Sequence, residues 1–279
     1  MNSYRMGVIG DPIAHTLSPA IHTKMAEHLG LCCEYTAHHV KRGELGQFVE
    51  RTKAENFAGF NVTIPHKKDI MDFLDECDPY ARKCGAVNTV KITDGKLKGY
   101  NTDGDGLYAS LKQNGILMDR SRVLLLGAGG AALSICQKAL DVGAKVTVLC
   151  RSPKKAAAFA EKDGVTVREL SPTVQKECAK VTDIIINATP LGMEGIPDDF
   201  WDFSFLDETK AAVYDIVYKP AETSLMRESR NRGLRAFNGL GMLINQAIYA
   251  FSIFTGQEFD FGEMASYLER EIGKIVYTK

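Results

Sequence analysis

The segment 122–150 constrains the fold more than any other part of the chain. An apolar run from Val123 to Leu126 leads directly into Gly127-Ala128-Gly129-Gly130-Ala131-Ala132, then a helical stretch to Val142 and a second apolar run from Lys145 to Leu149. This is a complete βαβ unit, which commits its part of the chain to parallel α/β architecture. Gly127, Gly129 and Ala132 fit the pattern G-x-G-x-x-A. The first allows a tight turn, the second lets backbone approach a pyrophosphate, and the small third residue permits close helix–strand packing. The helix N-terminus offers its N–H groups and partial positive charge to the phosphates.

The end of the second strand selects the dinucleotide. An NAD-binding unit usually places Asp or Glu there to accept hydrogen bonds from the ribose. This chain has Cys150, Arg151, Ser152, Lys154 and Lys155. Guanidinium, hydroxyl and ammonium groups suit a 2′-phosphate, so NADP is the expected cofactor. The competing reading is a basic helix start that is merely solvated.

Upstream, short apolar runs alternate with amphipathic stretches, as in βα units that stack into a largely parallel sheet. Strands are predicted near Arg5–Gly10, Glu34–Val40 and Ala58–Val62, and helices over Pro19–Leu29 and Glu44–Ala54. A hairpin follows, Val87–Ile92 and Lys96–Tyr100 about a turn at Asp94-Gly95, and then a helix near Asp103–Asn114. Beyond the βαβ unit, strands fit Ile184–Asn187, Ala212–Ile216 and Leu234–Phe237, with a polar helix over Glu222–Arg232. Leu240–Phe254 is apolar nearly all round, as a buried helix would be, and Phe261–Ile275 is amphipathic. The expected fold is therefore α/β with two domains. Residues 1–103 form a substrate domain with a mostly parallel sheet, 104–239 a Rossmann-type NADP domain, and the helices of 240–279 return to the first.

Polar residues of the first domain share faces. Asn61 and Thr63 point to one side of an extended strand, with Lys67 just after its C-terminal end, where open α/β sheets bind ligands. Thr16 pairs with Ser18 in the same way, and Asn101 with Asp103. For Asn88 and Thr89, turn-making at a strand start competes with ligand binding. A lone amide such as Gln246 in an apolar helix could simply satisfy a buried backbone group.

These segments carry a family resemblance. His15 through Pro19 with His22, Gly59 through Lys67, Gly85 through Thr89 and Tyr100 through Gly104 are similar to successive signatures of the shikimate dehydrogenase family. So are Gly127 through Ala132, Asn187 through Met193, Tyr218 through Pro220, and Gly241 through Leu243 with Gln246. The resemblance implies NADPH-dependent reduction of 3-dehydroshikimate to shikimate, beside a catalytic Lys67–Asp103 pair. It implies substrate contacts from Thr16, Ser18, Asn61, Thr63, Lys67, Asn88, Asp103, Tyr218 and Gln246. Cofactor contacts would come from Gly127, Ala128, Gly129, Gly130, Ala131, Arg151, Ser152, Lys155, Thr189, Ile216 and Gly239. Ketone reduction needs a positioned acid where negative charge grows on oxygen, which an ammonium supplies. His15, His22 and His66 are expected to be structural or rim residues. Thr16 stands where the family usually has serine, near the ligand carboxylate. A broader quinate/shikimate dehydrogenase is therefore the nearest alternative, and a non-catalytic shikimate-binding regulator the next.

Composition excludes other partners. With 34 Lys and Arg against 35 Asp and Glu, neither nucleic acid nor an anionic membrane surface is suggested, and no apolar stretch is long enough to span a bilayer. The seven cysteines show no metal-ligand spacing, so no metal is expected. Reduced thiols suit a cytoplasmic location. The expected partner is a small-molecule substrate, with a homodimer left open.

Overall fold

The computed structural model describes residues 3–197 and 202–277, the side chain of Lys155 excepted. The chain divides into two compact units, Met1–Gly106 with Ile244–Lys279, and Leu107–Leu243.

The first unit begins β1 (Ser3–Gly10), α1 (Ser18–His28), β2 (Cys32–His39), α2 (Leu45–Ala54) and β3 (Gly59–Val62). A 3₁₀ turn at Asp69–Phe73, β4 (Glu76–Cys77) and α3 (Pro79–Cys84) precede the hairpin β5 (Thr89–Thr93) and β6 (Lys96–Tyr100). Asp94 and Gly95 both adopt positive φ, 51° and 73°, as a two-residue hairpin turn requires. The strands form a six-stranded sheet in the order β2-β1-β3-β5-β6-β4. It is parallel from β2 to β3 and between β4 and β6, and antiparallel through the hairpin. The chain winds from β1 to β2 on one side and returns to β3 on the other. The C-terminal ends of β1 and β3 therefore meet at a switch point, where such sheets bind ligands. Because β5 runs antiparallel to β3, its first residue, Thr89, lies opposite both Asn61 of β3 and Tyr100 of β6. One end of the sheet thus gathers the loop after β1, the end of β3, the start of β5 and the end of β6.

The chain passes to the second unit within α4 (Asp103–Gln113). There follow β7 (Arg122–Leu126), α5 (Gly130–Asp141), β8 (Lys145–Cys150), α6 (Ala157–Ala160), β9 (Val165–Glu169) and α7 (Pro172–Ala179). Next come β10 (Ile184–Asn187), β11 (Ala212–Asp215), α8 (Ser224–Asn231) and β12 (Ala236–Phe237). Strand order is β12-β11-β10-β7-β8-β9, all parallel, which is the doubly wound dinucleotide-binding order with its switch point between β7 and β10. Both faces are covered. Val123 and Leu125 enter one apolar cluster, Leu124 and Leu126 the other, so the strand reads as an unbroken apolar run.

α9 (Leu240–Thr255) leads back to the first unit, where α10 (Phe261–Tyr277) packs on α1. A Cβ on Gly59 would sit 2.5 Å from Phe254 and from the carbonyl of Val90. The missing side chain lets the apolar end of α9 lie directly on β3.

Boundaries differ from expectation where local signals are weak. The strand expected over Val87–Ile92 starts at Thr89, because Val87 and Asn88 point their N–H groups at Lys67 and Tyr100 from an irregular segment. That expected at Leu234 pairs only from Ala236. The edge strands β4 and β9 were not anticipated; the first has two residues, and the second carries Arg168 and Glu169.

His22 lies in the first unit's core with no exposed surface, stacked on Tyr35 at 4.1 Å and 9°. Neither ring nitrogen has a hydrogen-bond partner, Asn61 being the polar group close enough to act on it. Burial pushes its pKa from 6.5 down to about 3. As pH falls between those values, the unfolded chain binds a proton that the folded chain refuses, so stability falls with pH by up to about 1.4 kcal/mol per unit. Urea unfolding from about pH 7 to about pH 5 should show His22→Phe losing stability less steeply than the wild type. Equal slopes would contradict this account of His22.

Candidate active site

At the ligand-binding end of the first sheet, three side chains interlock. Lys67 follows β3, its backbone carbonyl held by the Val87 N–H at 2.7 Å. Its ammonium donates to Oδ2 of Asp103 at 2.5 Å, with side-chain exposures of 14% and 6%. Asp103 is the first residue of α4, a position where the helix dipole favours a carboxylate. Its N–H donates to Oδ1 of Asn101, whose own amide is tied to the Ala86 carbonyl. The other carboxylate oxygen, Oδ1, accepts from Nδ2 of Asn88 at 2.8 Å.

The Asn88 amide can face only one way. Its Oδ1 accepts from the Thr102 N–H, which only donates, and its Nδ2 faces a carboxylate, which only accepts. Oδ1 also accepts from Thr89, and Nδ2 also reaches Thr102 Oγ1 at 2.9 Å and Gln246 Oε1 at 3.4 Å. Gln246 stands there because α4 and α9 touch; a Cβ on Gly106 would lie 2.7 Å from the Gln246 backbone nitrogen. Asn61 donates to the carbonyl of Asn88 and to Thr89 Oγ1, both at 3.1 Å, and accepts from the Tyr35 hydroxyl at 2.7 Å. Thr16 and Ser18 form a small turn in which Thr16 Oγ1 donates to Ser18 Oγ and accepts from the Ser18 N–H, each at 3.2 Å. Burial holds the Tyr35 phenol well above its ordinary pKa. Thr63 is half-buried, its methyl over Gly10, where a Cβ would come within 2.5 Å of it. The structure therefore brings Lys67, Asp103, Asn88, Gln246, Asn61 and Tyr35 into one hydrogen-bonded group, whereas Thr16 and Ser18 bond each other in a turn of their own. His66 is buried and bonds the Val40 carbonyl, a structural role.

In the second unit, the glycine loop sits at the switch point. Gly127 has φ of 103°, and a Cβ there would strike Thr189 and Ala188 of the loop after β10. A Cβ on Gly129 would meet nothing within 4 Å. Packing does not demand a glycine there, whereas a phosphate at the first turn of α5, flanked by Ala128, Gly130 and Ala131, would use that space. Buried Ala132 lies in the core under α5. Arg151, exposed, and half-buried Ser152 follow directly after β8. The side chain of Lys155 lies outside the described residues. Gly239 approaches Ile216 so closely that a Cβ would overlap the Ile216 carbonyl, bringing these two expected cofactor residues together. Half-buried Tyr218 follows β11 in this unit, its phenol raised by burial. These features fit a dinucleotide. Among the described residues no group of side chains could hold a metal ion.

Sequence reasoning missed Tyr35 and Asp215. Fully buried, Asp215 accepts from Asn187 Nδ2 at 3.0 Å, from the Val217 N–H and from Thr223. Asn187 in turn holds Thr189 by its N–H and hydroxyl. The only sequence signal was a carboxylate at the end of an apolar strand.

Known proteins resemble the chain over nearly its whole length. Residues 8–90 match the shikimate dehydrogenase substrate binding domain, 110–192 shikimate / quinate 5-dehydrogenase, and 239–266 the shikimate 5'-dehydrogenase C-terminal domain. The chain is 41% identical to shikimate dehydrogenase (NADP(+)) of Nitrosopumilus maritimus, over 94% of its own length and 96% of the relative's. The crystal structure of shikimate dehydrogenase from Aquifex aeolicus superposes with a TM-score of 0.86 at 34% identity, covering 96% of this chain and 99% of that one. Shikimate 5-dehydrogenase of Thermus thermophilus, in complex with NADP(H) and shikimate, gives 0.81 at 34% identity, covering 96% and 99%.

Removing the hub amide should leave the Thr102 N–H and one oxygen of Asp103 without their partner. Asn88→Ala is expected to lower unfolding free energy by about 2–4 kcal/mol, measured by denaturant titration. A loss below about 0.5 kcal/mol, typical of a surface change, would show that Asn88 is not the hub.

Proposed function

The chain belongs to the shikimate dehydrogenase family, and from that premise we propose that it reduces the 3-keto group of 3-dehydroshikimate to shikimate, reversibly and with NADPH. The observation that carries this reading is the Lys67 ammonium 2.5 Å from an Asp103 carboxylate that Asn88 pins from its other side.

Residues 1–103 with 240–279 serve the substrate, and 104–239 the cofactor. NADPH, when bound, supplies hydride to the carbonyl carbon. Negative charge then grows on the ketone oxygen, and Lys67 stabilises it and transfers a proton from Nζ. Asp103 keeps Nζ in place and accepts a hydrogen bond from a neighbouring ring hydroxyl. In the oxidative direction the lysine must be neutral to take the proton back. Thr16 and Ser18 donate to the ring carboxylate, and Asn61, Thr63, Asn88 and Gln246 complete the polar lining that the first unit offers. Neutral groups of this kind recognise a polyhydroxylated acid and disfavour analogues that leave them unpaired. On the cofactor side, the α5 N-terminus takes the pyrophosphate with Ala128, Gly130 and Ala131. Arg151, Ser152 and Lys155 take the 2′-phosphate, and Thr189, Ile216 and Gly239 face the nicotinamide end. The enzyme acts in the supply of the aromatic amino acid precursor chorismate, in the cytoplasm, on a small-molecule substrate.

Steady-state assays that cross shikimate and quinate with NADP and NAD test the reading. Shikimate with NADP should be the preferred pair. Arg151→Ala should raise KM for NADP about tenfold or more, the worth of a charged hydrogen bond, while NAD use changes little. No turnover of shikimate, or equal losses with the two cofactors, would contradict it.

A further inference from the structure

Asn61 has no donor left to offer a ligand. One face of its amide meets the carbonyl of Asn88, an atom that can only accept and that also takes the Val62 N–H. The NH₂ must therefore lie on that face, where its second hydrogen goes to Thr89 Oγ1. Thr89 can accept it because its own hydrogen is committed to Asn88 Oδ1. The Asn61 oxygen consequently faces Tyr35, whose phenol must donate, at 2.7 Å. An amide has two donor hydrogens and two oxygen lone pairs. Both hydrogens and one lone pair are used within the protein, which leaves a single acceptor.

Tyr35 is built to hold that polarity. It is 6% exposed, lies flat against the neutral, fully buried His22, and gives its hydroxyl hydrogen to Asn61. Burial keeps its proton on at any pH at which the protein works. A phenol held in this way remains a donor.

We propose that Tyr35 is a positioning residue that fixes Asn61 as a pure acceptor, so that Asn61 reads a ring hydroxyl which stays a hydroxyl throughout the reaction. The inference rests on the dehydrogenase reading and refines it. The oxygen at C3 alternates between hydroxyl and ketone, and a ketone has no hydrogen to give Asn61. The hydroxyl that is read is therefore the one at C4 or C5, while Lys67 attends C3.

The test compares wild type, Tyr35→Phe, Asn61→Ala and the double variant on shikimate and on its 4-deoxy and 5-deoxy analogues, with NADP. Phenylalanine keeps the ring against His22 and removes only the donor. Tyr35→Phe should raise KM for shikimate about three- to tenfold, with a smaller change in kcat, and shrink discrimination against one deoxy analogue by about tenfold while leaving the other intact. On the Asn61→Ala background the same change should add less than about twofold. Unchanged discrimination against both analogues, or losses that multiply in the double variant, would overturn the proposal even in an active enzyme. A wild type inactive on shikimate would be a separate result, which removes the dehydrogenase reading and this refinement together.

Discussion

The ion pair between Lys67 and Asp103 is the contact around which the first unit's ligand-binding end is organised. Two opposite charges this well buried favour folding only when their remaining hydrogen-bonding capacity is met. Asp103 meets it with the dipole of α4 and the Asn88 amide. Asn88 in turn accepts from the Thr102 N–H and the Thr89 hydroxyl, both at its amide oxygen. Each requirement draws in another chain segment, so the ends of β3 and β6, the start of β5 and the first turn of α4 are fixed by one hydrogen-bonded set. The sheet order places these segments at one end, and the small residues Gly59 and Gly106 let α9 bring Gln246 to the same place.

The second unit uses a different device for a similar purpose. Its buried carboxylate, Asp215, binds neutral donors from three segments, so the loops after β10 and β11 are held by hydrogen bonds to one side chain. The glycine loop needs no such tether. Gly127 is forced by its positive φ and by contact with the Thr189 loop, whereas a Cβ on Gly129 would meet only open space. A glycine required by backbone geometry and one that leaves room stand two residues apart in the same turn.

Much of the fold was legible because burial on both faces writes long apolar runs into the sequence. β7, β8 and β10 read clearly for that reason, and Leu240–Phe254 read as a buried helix. β9 did not, since an edge strand buries little and Val165–Glu169 alternates with polar residues. β4 has too few residues for any periodicity. In the candidate site, Lys67 and Asp103 lie 36 residues apart in the chain, and no spacing rule connects them; family-like motifs suggested the pair. Tyr35 was missed because an aromatic residue within a strand reads as core, and only the geometry shows its hydroxyl meeting Asn61. Asn88 illustrates the same limit. Its amide was read as a ligand contact or a turn-maker, and its role as the link between Asp103 and Thr102 depends on partners that sequence does not reveal.

The central claim is that the Lys67 ammonium, held by Asp103, supplies the proton for ketone reduction. Turnover of 3-dehydroshikimate by Lys67→Ala, followed through NADPH consumption alongside shikimate affinity, tests it directly. The account expects turnover to fall by about two to four orders of magnitude, as for the loss of a general acid, with only modest weakening of binding. Near-normal turnover would contradict it.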